Sequence, residues 1–475
     1  MFVLGPGFDV SFLTGTDEHG LKIQRAAEKQ NKDPKTFCDE ISKTFENLTK
    51  TLNLSNTDFI RTTEIRHKKS VQKLWNILEN NKQIYLSKYS GWYSVSDEAF
   101  YNEDEVDEKD GVKIAKSSGS IVEWVEEESF FFKLSEWEKP LLEFYDKNKN
   151  FILPESRRNE VISFVKSGLK DLSVSRKTFS WGIKVPNDEA HVVYVWLDAL
   201  TNYLSSLKYP DEDNNLFKNF WPADLHIIGK DILRFHAIYW PAFLLAANIK
   251  PPKRVYGHGW ILSGDEKMSK SKGNILDPLE IIKNYGLDPL RYYLLKEVSF
   301  GNDGNISEEK LENCINSDLA NNYGNLCQRV LSFAKKNCSS LIPKHEFVND
   351  DLIILNSITN LDKIRYFIDN QDINQYMAFI VDCLFASNKY FNDQEPWKKK
   401  QDNLRLSTIV YTAIELIRKI TILLYPVTPQ TSVKVLNIFN IKENKIDFSS
   451  IKENETLKEG NKINKLDILF NKIEK

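Results

Sequence analysis

The sequence predicts an α/β protein: a parallel sheet flanked by helices, interrupted by a small β-rich insertion and followed by a helical bundle. Three observations predict this. Apolar runs lead through turns into helix-forming stretches in FDVSFLTGT (8–16), AHVVYVWLDAL (190–200), DLHIIGKDILRFHAIYWPAFLLAA (224–247) and RVYGHGWI (254–261). Such strand–turn–helix alternation is how parallel sheets are assembled. Between 85 and 132 the style changes to aromatic–polar alternation punctuated by glycine, as in IYLSKYSGWYSVSDEAFY and SGSIVEWVEEESFFFKL, the pattern of short antiparallel strands. Beyond about residue 310 glycines thin out and apolar residues recur at helical spacing, as in LRLSTIVYTAIELIRKITILLYPVTP, which reads as a bundle.

In chain order, 8–16 reads as a short buried strand entering a turn, LKIQRAAEKQ as a helix, and 35–80 as helical throughout. The acidic run NEDEVDEKD reads as a solvated loop. The expected boundaries are 1–84, 85–185, 186–258, 259–310 and 311–475. A chain of 475 residues is too long for one small core. With 41% hydrophobic and 28% charged residues it has an ordinary globular composition. Its net charge of −3 requires any nucleic-acid partner to be held by local basic patches. Five cysteines without a CxxC pair argue against a disulfide framework and for a reducing compartment. No uncharged apolar run reaches membrane-spanning length, and MFVLGPGFDVSFLTG lacks the basic start and small-residue cleavage site of a secretion signal. The expected location is the cytoplasm.

The segment SGDEKMSKSKGN (263–274) sets Lys267 and Lys270 beside serines in a glycine-bounded loop. A lysine is a compact cation on a flexible stem, suited to following a phosphate as it moves, and a loop can close on a leaving group and reopen. Taken alone, such a string is usually a wet surface loop. Asp17 in TGTDEHG falls where a strand gives way to a helix, either at a ligand edge or as a helix cap. Trp196, Ala199 or Leu200, and Tyr203 share a helical face, which core packing would also produce. Ile232 and His236 are i, i+4 neighbours on an apolar helix, again readable as core.

KMSKSKGN resembles the second signature of class I aminoacyl-tRNA synthetases. TGTDEHG (14–20), GWYSVSDEAFY (91–101), VWLDALTNY (195–203), IIGKDILRFHAIYWPA (227–242), GHGWILSGDEKMSKSKGN (257–274) and NKYFNDQEPW (388–397) narrow the likeness, in order and spacing, to the bacterial and organellar methionyl-tRNA synthetases. The resemblance implies a Rossmann-like catalytic domain, a connective insertion and a helical anticodon-binding domain. It implies methionine–tRNA ligation, in which the methionine carboxylate attacks the α-phosphorus of ATP, pyrophosphate leaves, and the terminal adenosine 2′-OH of tRNA(Met) takes the aminoacyl group. The substrates would be methionine, ATP with Mg2+, and tRNA(Met), and the expected state is a monomer.

By the same resemblance Asp17 meets the α-ammonium, and Trp196, Ala199, Leu200, Tyr203, Ile232 and His236 line the methionine pocket. Relatives often have proline at the place of Leu200. Gly229 and Asp231 contact the ribose, Ile261 packs on adenine, and Lys267 and Lys270 hold phosphate. Trp397 stacks on an anticodon base, with Asp318 and Asn322 beside it; relatives can carry arginine where Asn322 stands.

Two departures stand out. GWYSVSDEAFY has Ser94 and Asp97 where many relatives carry a CxxC, and no cysteine lies between Cys38 and Cys314. No structural zinc is therefore expected, and Trp92, Tyr93, Phe100 and their neighbours should hold the knuckle. None of the seven histidines is three residues from another, so the His-x-Gly-His signature is absent. The expectation is a chain truncated at its N-terminus, lacking the first strand, the signature and one helix. The competing readings are a tRNA-binding protein without full activation activity, and a leucine, isoleucine or valine enzyme of the same class. Against the latter stands an insertion of only about 100 residues, too short for the editing domains of those enzymes.

Overall fold

The computed structural model describes residues 9–97, 99–101, 103–109, 111–264, 266–268 and 276–474. Val10–His258 form one compact unit and Gly259–Lys475 lie in another.

In the first unit the parallel strands form two separate sheets. Leu13–Thr16 pairs in parallel with Asp58–Arg61. These strands approach so closely that a Cβ on Gly15 would lie 2.0 Å from the Ile60 carbonyl oxygen, which only glycine tolerates. The Asp58–Arg61 strand corrects the helical reading of 35–80. Helix Pro34–Thr51 opens on Asp33, whose carboxylate accepts from the Thr36 amide, with proline in the first turn. The chain then extends through the β-strand before helix Ile65–Asn80 begins. That helix buries Val71, Leu74, Trp75 and Leu78, the i, i+3, i+4, i+7 stripe of a core-facing helix.

The second parallel sheet has the order His226–Gly229, Val255–His258, Ile152–Leu153. Ile152–Leu153 joins it from within 85–185, flanked by helices Glu138–Lys147 and Glu155–Lys166. The antiparallel sheet of the insertion is nevertheless joined by Leu172–Ser173, which pairs with Phe131 and Phe132. There Ile84–Ser94 pairs antiparallel with Glu123–Phe132 and Ala99–Tyr101.

The expected aromatic support is present in part. The Trp92 and Trp124 rings meet edge to face at 5.2 Å, and Tyr93 is buried with the Arg176 guanidinium 5.5 Å from its ring; the side chain of Phe100 lies outside the described residues. A polar network adds to this support. Asp97 accepts hydrogen bonds from Tyr101 (2.8 Å), Ser118 (2.5 Å) and Ser120 (2.7 Å), and its amide donates to Ser94 Oγ at 3.2 Å. A carboxylate surrounded by hydroxyl donors is neither the donor set nor the charge of a thiolate zinc site, so the residues present do not fit that metal.

The second unit is mainly helical. RVYGHGWI splits into two strands: Val255–His258 stays with the first unit, and Ile261–Ser263 pairs with Gly304–Asn305 and Glu266–Lys267. The bundle is centred on Asn403–Leu424, buried at every position from Thr408 to Leu424, as expected of a helix enclosed on all sides. Its buried Arg418 pairs with Glu415 at 2.5 Å and donates to the Ser450 and Glu453 carbonyls, so the charge is satisfied.

Candidate functional site

The chain brings Trp196, Tyr203, Ile232 and His236 to one place. Val195–Leu200 and Asn202–Ser205 are consecutive helical turns. Facing them is a stretch that turns from the strand end at Gly229 into the π-helical turn Phe235–Tyr239; such turns are frequent at functional sites. Trp196 stacks on Phe235 with ring centroids 3.6 Å apart and planes 9° from parallel. Tyr203 stacks on His226 at 3.9 Å, and its hydroxyl lies 2.8 Å from His236 Nε2.

The hydrogen bonds fix the tautomer of His236. Its Nδ1 lies 3.0 Å from the Ile232 carbonyl, which can only accept, so Nδ1 carries the proton and Nε2 accepts from Tyr203. Burial pushes the His236 pKa down to about 4, with the Ile232 carbonyl opposing the shift. Burial likewise holds His226 well below the ordinary range, helped by nearby His236. Both rings are neutral near pH 7. The cluster is aromatic, polarizable and uncharged, suited to an apolar or thioether side chain.

Ala199 is 9% exposed and Leu200 1% exposed, so Leu200 backs the site from within the core. Gly229 ends its strand where a Cβ would meet Asp231 Oδ1 at 2.6 Å; glycine lets the Asp231 carboxylate tuck against the turn.

Asp17 is exposed just past the end of Leu13–Thr16. A cleft of about 310 Å³ opens there, with Asp17, Glu18 and Thr16 on one wall and Phe37, Ile41 and Phe45 on another. The aromatic residues above do not line it. Glu18, next along, is buried and accepts from Arg61 Nε (2.7 Å), Arg61 Nη2 (3.0 Å) and Thr63 (2.6 Å). Burial alone would raise its pKa; these partners outweigh burial and lower it.

Sequence reasoning missed the group behind both features. Asp198 is fully buried between two histidines: His19 Nδ1 is 2.7 Å from Oδ2, His67 Nε2 is 2.7 Å from Oδ1, and His67 Nδ1 is 2.8 Å from Ser205 Oγ. Burial would raise the Asp198 pKa, but the charge and hydrogen bond of His19, with those of His67, hold it at about 2. A lone Asp in the apolar run VVYVWLDAL was the available signal, since a buried carboxylate needs partners. Phe235 was missed too, although it adjoins His236.

In the second unit Ile261 is 39% exposed on its strand. The backbone of Lys267 ends the hairpin Ile261–Lys267; its side chain, and all of Lys270, lie outside the described residues. Asp318 and Asn322 lie on the π-helical segment Ile315–Gly324 and are buried. Asp318 is 2.6 Å from Lys296 Nζ and accepts from the Tyr292 hydroxyl at 3.0 Å. Asn322 Oδ1 accepts from Asn388 Nδ2 at 2.8 Å. Trp397 is 40% exposed, edge-on to Phe391 at 6.2 Å. Phe391 also has the Arg329 guanidinium 5.8 Å from its ring, and Arg329 donates to Asn392 Oδ1 at 2.6 Å. Of the three expected anticodon contacts, Trp397 is thus open and the other two are turned inward.

A family model described as tRNA synthetases class I (M) matches residues 4–331, and one described as the anticodon binding domain of methionyl tRNA ligase matches 348–475. The methionine–tRNA ligase of Brucella suis is 48% identical over 94% of this chain and 87% of its own length. That of Rickettsia conorii is 48% identical over 98% of this chain and 92% of its own. The solved Mycobacterium tuberculosis methionyl-tRNA synthetase in complex with methionyl-adenylate superposes with a TM-score of 0.95 at 43% identity, covering 98% of this chain and 92% of that one.

Proposed function

The chain belongs to the class I methionyl-tRNA synthetases, and we infer from that membership how its residues carry out methionine–tRNA ligation. The enzyme activates methionine with ATP to methionyl-adenylate and transfers it to tRNA. The observation that carries the assignment of residues is the uncharged cluster of Trp196, Phe235, Tyr203 and His236. It would take the thioether, with Ala199, Leu200 and Ile232 completing its walls. Aromatic faces attract a polarizable sulfur, and a charged side chain would lose its hydration without a counter-ion.

Asp17 offers the anion for the α-ammonium. Gly229 and Asp231 take the ribose: the glycine permits close approach, and a carboxylate accepts from paired hydroxyls. Ile261 packs on the adenine. Lys267 and Lys270 meet the charge that grows on the departing pyrophosphate. Mg2+, carried in on the triphosphate, would share that neutralisation. In this reading the enzyme works as a cytoplasmic monomer; no described helix is long and apolar enough to cross a membrane.

For tRNA(Met), Trp397 supplies an aromatic face for an unstacked anticodon base. Arg329 and Trp397 both lie against the Phe391 ring, whereas Asp318 and Asn322 are buried against Lys296, Tyr292 and Asn388. The test separates the two half-reactions. Trp397→Ala is expected to leave methionine-dependent ATP–pyrophosphate exchange unchanged while the KM for tRNA(Met) in charging rises about tenfold, the scale of one lost base stack. Unchanged charging, or a parallel loss in exchange, would remove Trp397 from the anticodon site.

A further inference from the structure

Asp198 is itself assigned no part of the substrate, yet its carboxylate joins two of the elements that carry assigned residues. We propose that Asp198 and His19 form a positioning pair that sets the reach between Asp17, which receives the ammonium, and the side-chain pocket borne by Val195–Ser205. The proposal rests on the methionine reading of that pocket.

Asp17 sits on an exposed turn whose next two residues are both buried and anchored in different directions. Glu18 ties the turn to the neighbouring strand through Arg61 and Thr63. His19 ties it to the pocket helix through Asp198, with its ring edge-on to Trp181 at 5.4 Å; the following amide of Gly20 donates to the Trp181 carbonyl at 3.2 Å. Asp198 lies on the same helix as Trp196, Ala199 and Leu200. Its second oxygen runs on through His67 to Ser205, two residues beyond Tyr203. One buried chain, His19–Asp198–His67–Ser205, therefore spans the ammonium turn and both ends of the pocket segment.

A buried carboxylate makes this coupling firm. Removing one partner leaves an uncompensated charge in the interior, so the turn cannot drift from the helix without exposing or stranding Asp198. An apolar contact would tolerate such sliding because it has no direction. The pair thus converts two separate recognition surfaces into one ruler, which accepts an α-ammonium only at a fixed distance from an apolar side chain.

The test uses two probes on the whole chain: methioninol, and the same thioether alcohol without its amine. Binding is read by tryptophan fluorescence and ligand-observed NMR. His19→Phe keeps the ring volume against Trp181 but loses the nitrogen. His19→Asn places an amide N–H near the position of Nδ1. His19→Phe is expected to weaken methioninol about tenfold, the effect of displacing one anchoring group, with the des-amino probe within about twofold; His19→Asn should restore most of the loss. Ser205→Ala, at the far end, should reproduce a smaller loss of the same kind. Equal weakening of both probes would make His19 a general structural residue and overturn the proposal, as would unchanged methioninol binding in His19→Phe. If the unsubstituted chain bound neither probe, the methionine reading itself would fall, an outcome distinct from the other two.

Discussion

Asp17→Ala is expected to raise the KM for methionine roughly a hundredfold in ATP–pyrophosphate exchange and to leave kcat within a few-fold. The loss corresponds to an ammonium deprived of its hydrogen-bonded anion in a closed site. The split between the constants follows from the chemistry: the ammonium is present before, during and after the attack of the carboxylate on phosphorus. Its contact with Asp17 therefore stabilises ground and transition states alike and is felt in KM. The buried neighbours Glu18 and His19 keep the turn in place, so removing the Asp17 side chain should subtract an interaction and leave the fold intact. A fall in kcat with KM unchanged would assign Asp17 to the reacting atoms instead.

Lys270→Ala is expected to do the opposite. Charge accumulates on the β- and γ-phosphates only as the bond to the α-phosphorus breaks, so a cation following that charge acts mainly in the transition state. Exchange should fall about a hundredfold to a thousandfold in kcat, with the KM for methionine unchanged. The other loop lysine, Lys267, follows Glu266 at the end of the hairpin that pairs with Ile261–Ser263. An exchange rate within a few-fold of the unsubstituted enzyme would leave Lys270 as an ordinary surface charge.

The parallel α/β architecture and the helical bundle were legible because apolar runs and their turns repeat along the chain. The strand Asp58–Arg61 was not. It is four residues long, lies between two strongly helical stretches, and is stabilised by Leu13–Thr16, a partner distant in sequence. For the site, the helical face of Trp196, Ala199, Leu200 and Tyr203 could be read from spacing. Its closure by Phe235 and His226 could not, since cross-chain stacking leaves no periodic trace. Asp318 and Asn322 show a limit of another kind. The resemblance assigned them to the anticodon, but they lie on Ile315–Gly324, which is wound as a π-helix, where turns hold more residues and faces shift. Asp318 ends up against Lys296 and Tyr292, and Asn322 against Asn388. In the insertion, the absence of cysteines indicated that zinc does not fit, while the shell around Asp97 draws on Ser118 and Ser120 from one loop and on Tyr101 from a neighbouring strand and needed the fold to be seen.

The residue assignments require the uncharged aromatic cluster to be a methionine pocket. The most direct measurement is ATP–pyrophosphate exchange driven in turn by methionine, leucine, isoleucine and valine, with each of the other three also added as competitor against methionine. Methionine alone is expected to drive exchange, and the branched amino acids should compete at least about a hundredfold more weakly, the discrimination an apolar pocket supplies by shape. Exchange driven equally well by leucine, isoleucine or valine, or competition by one of them near the methionine concentration itself, would contradict it.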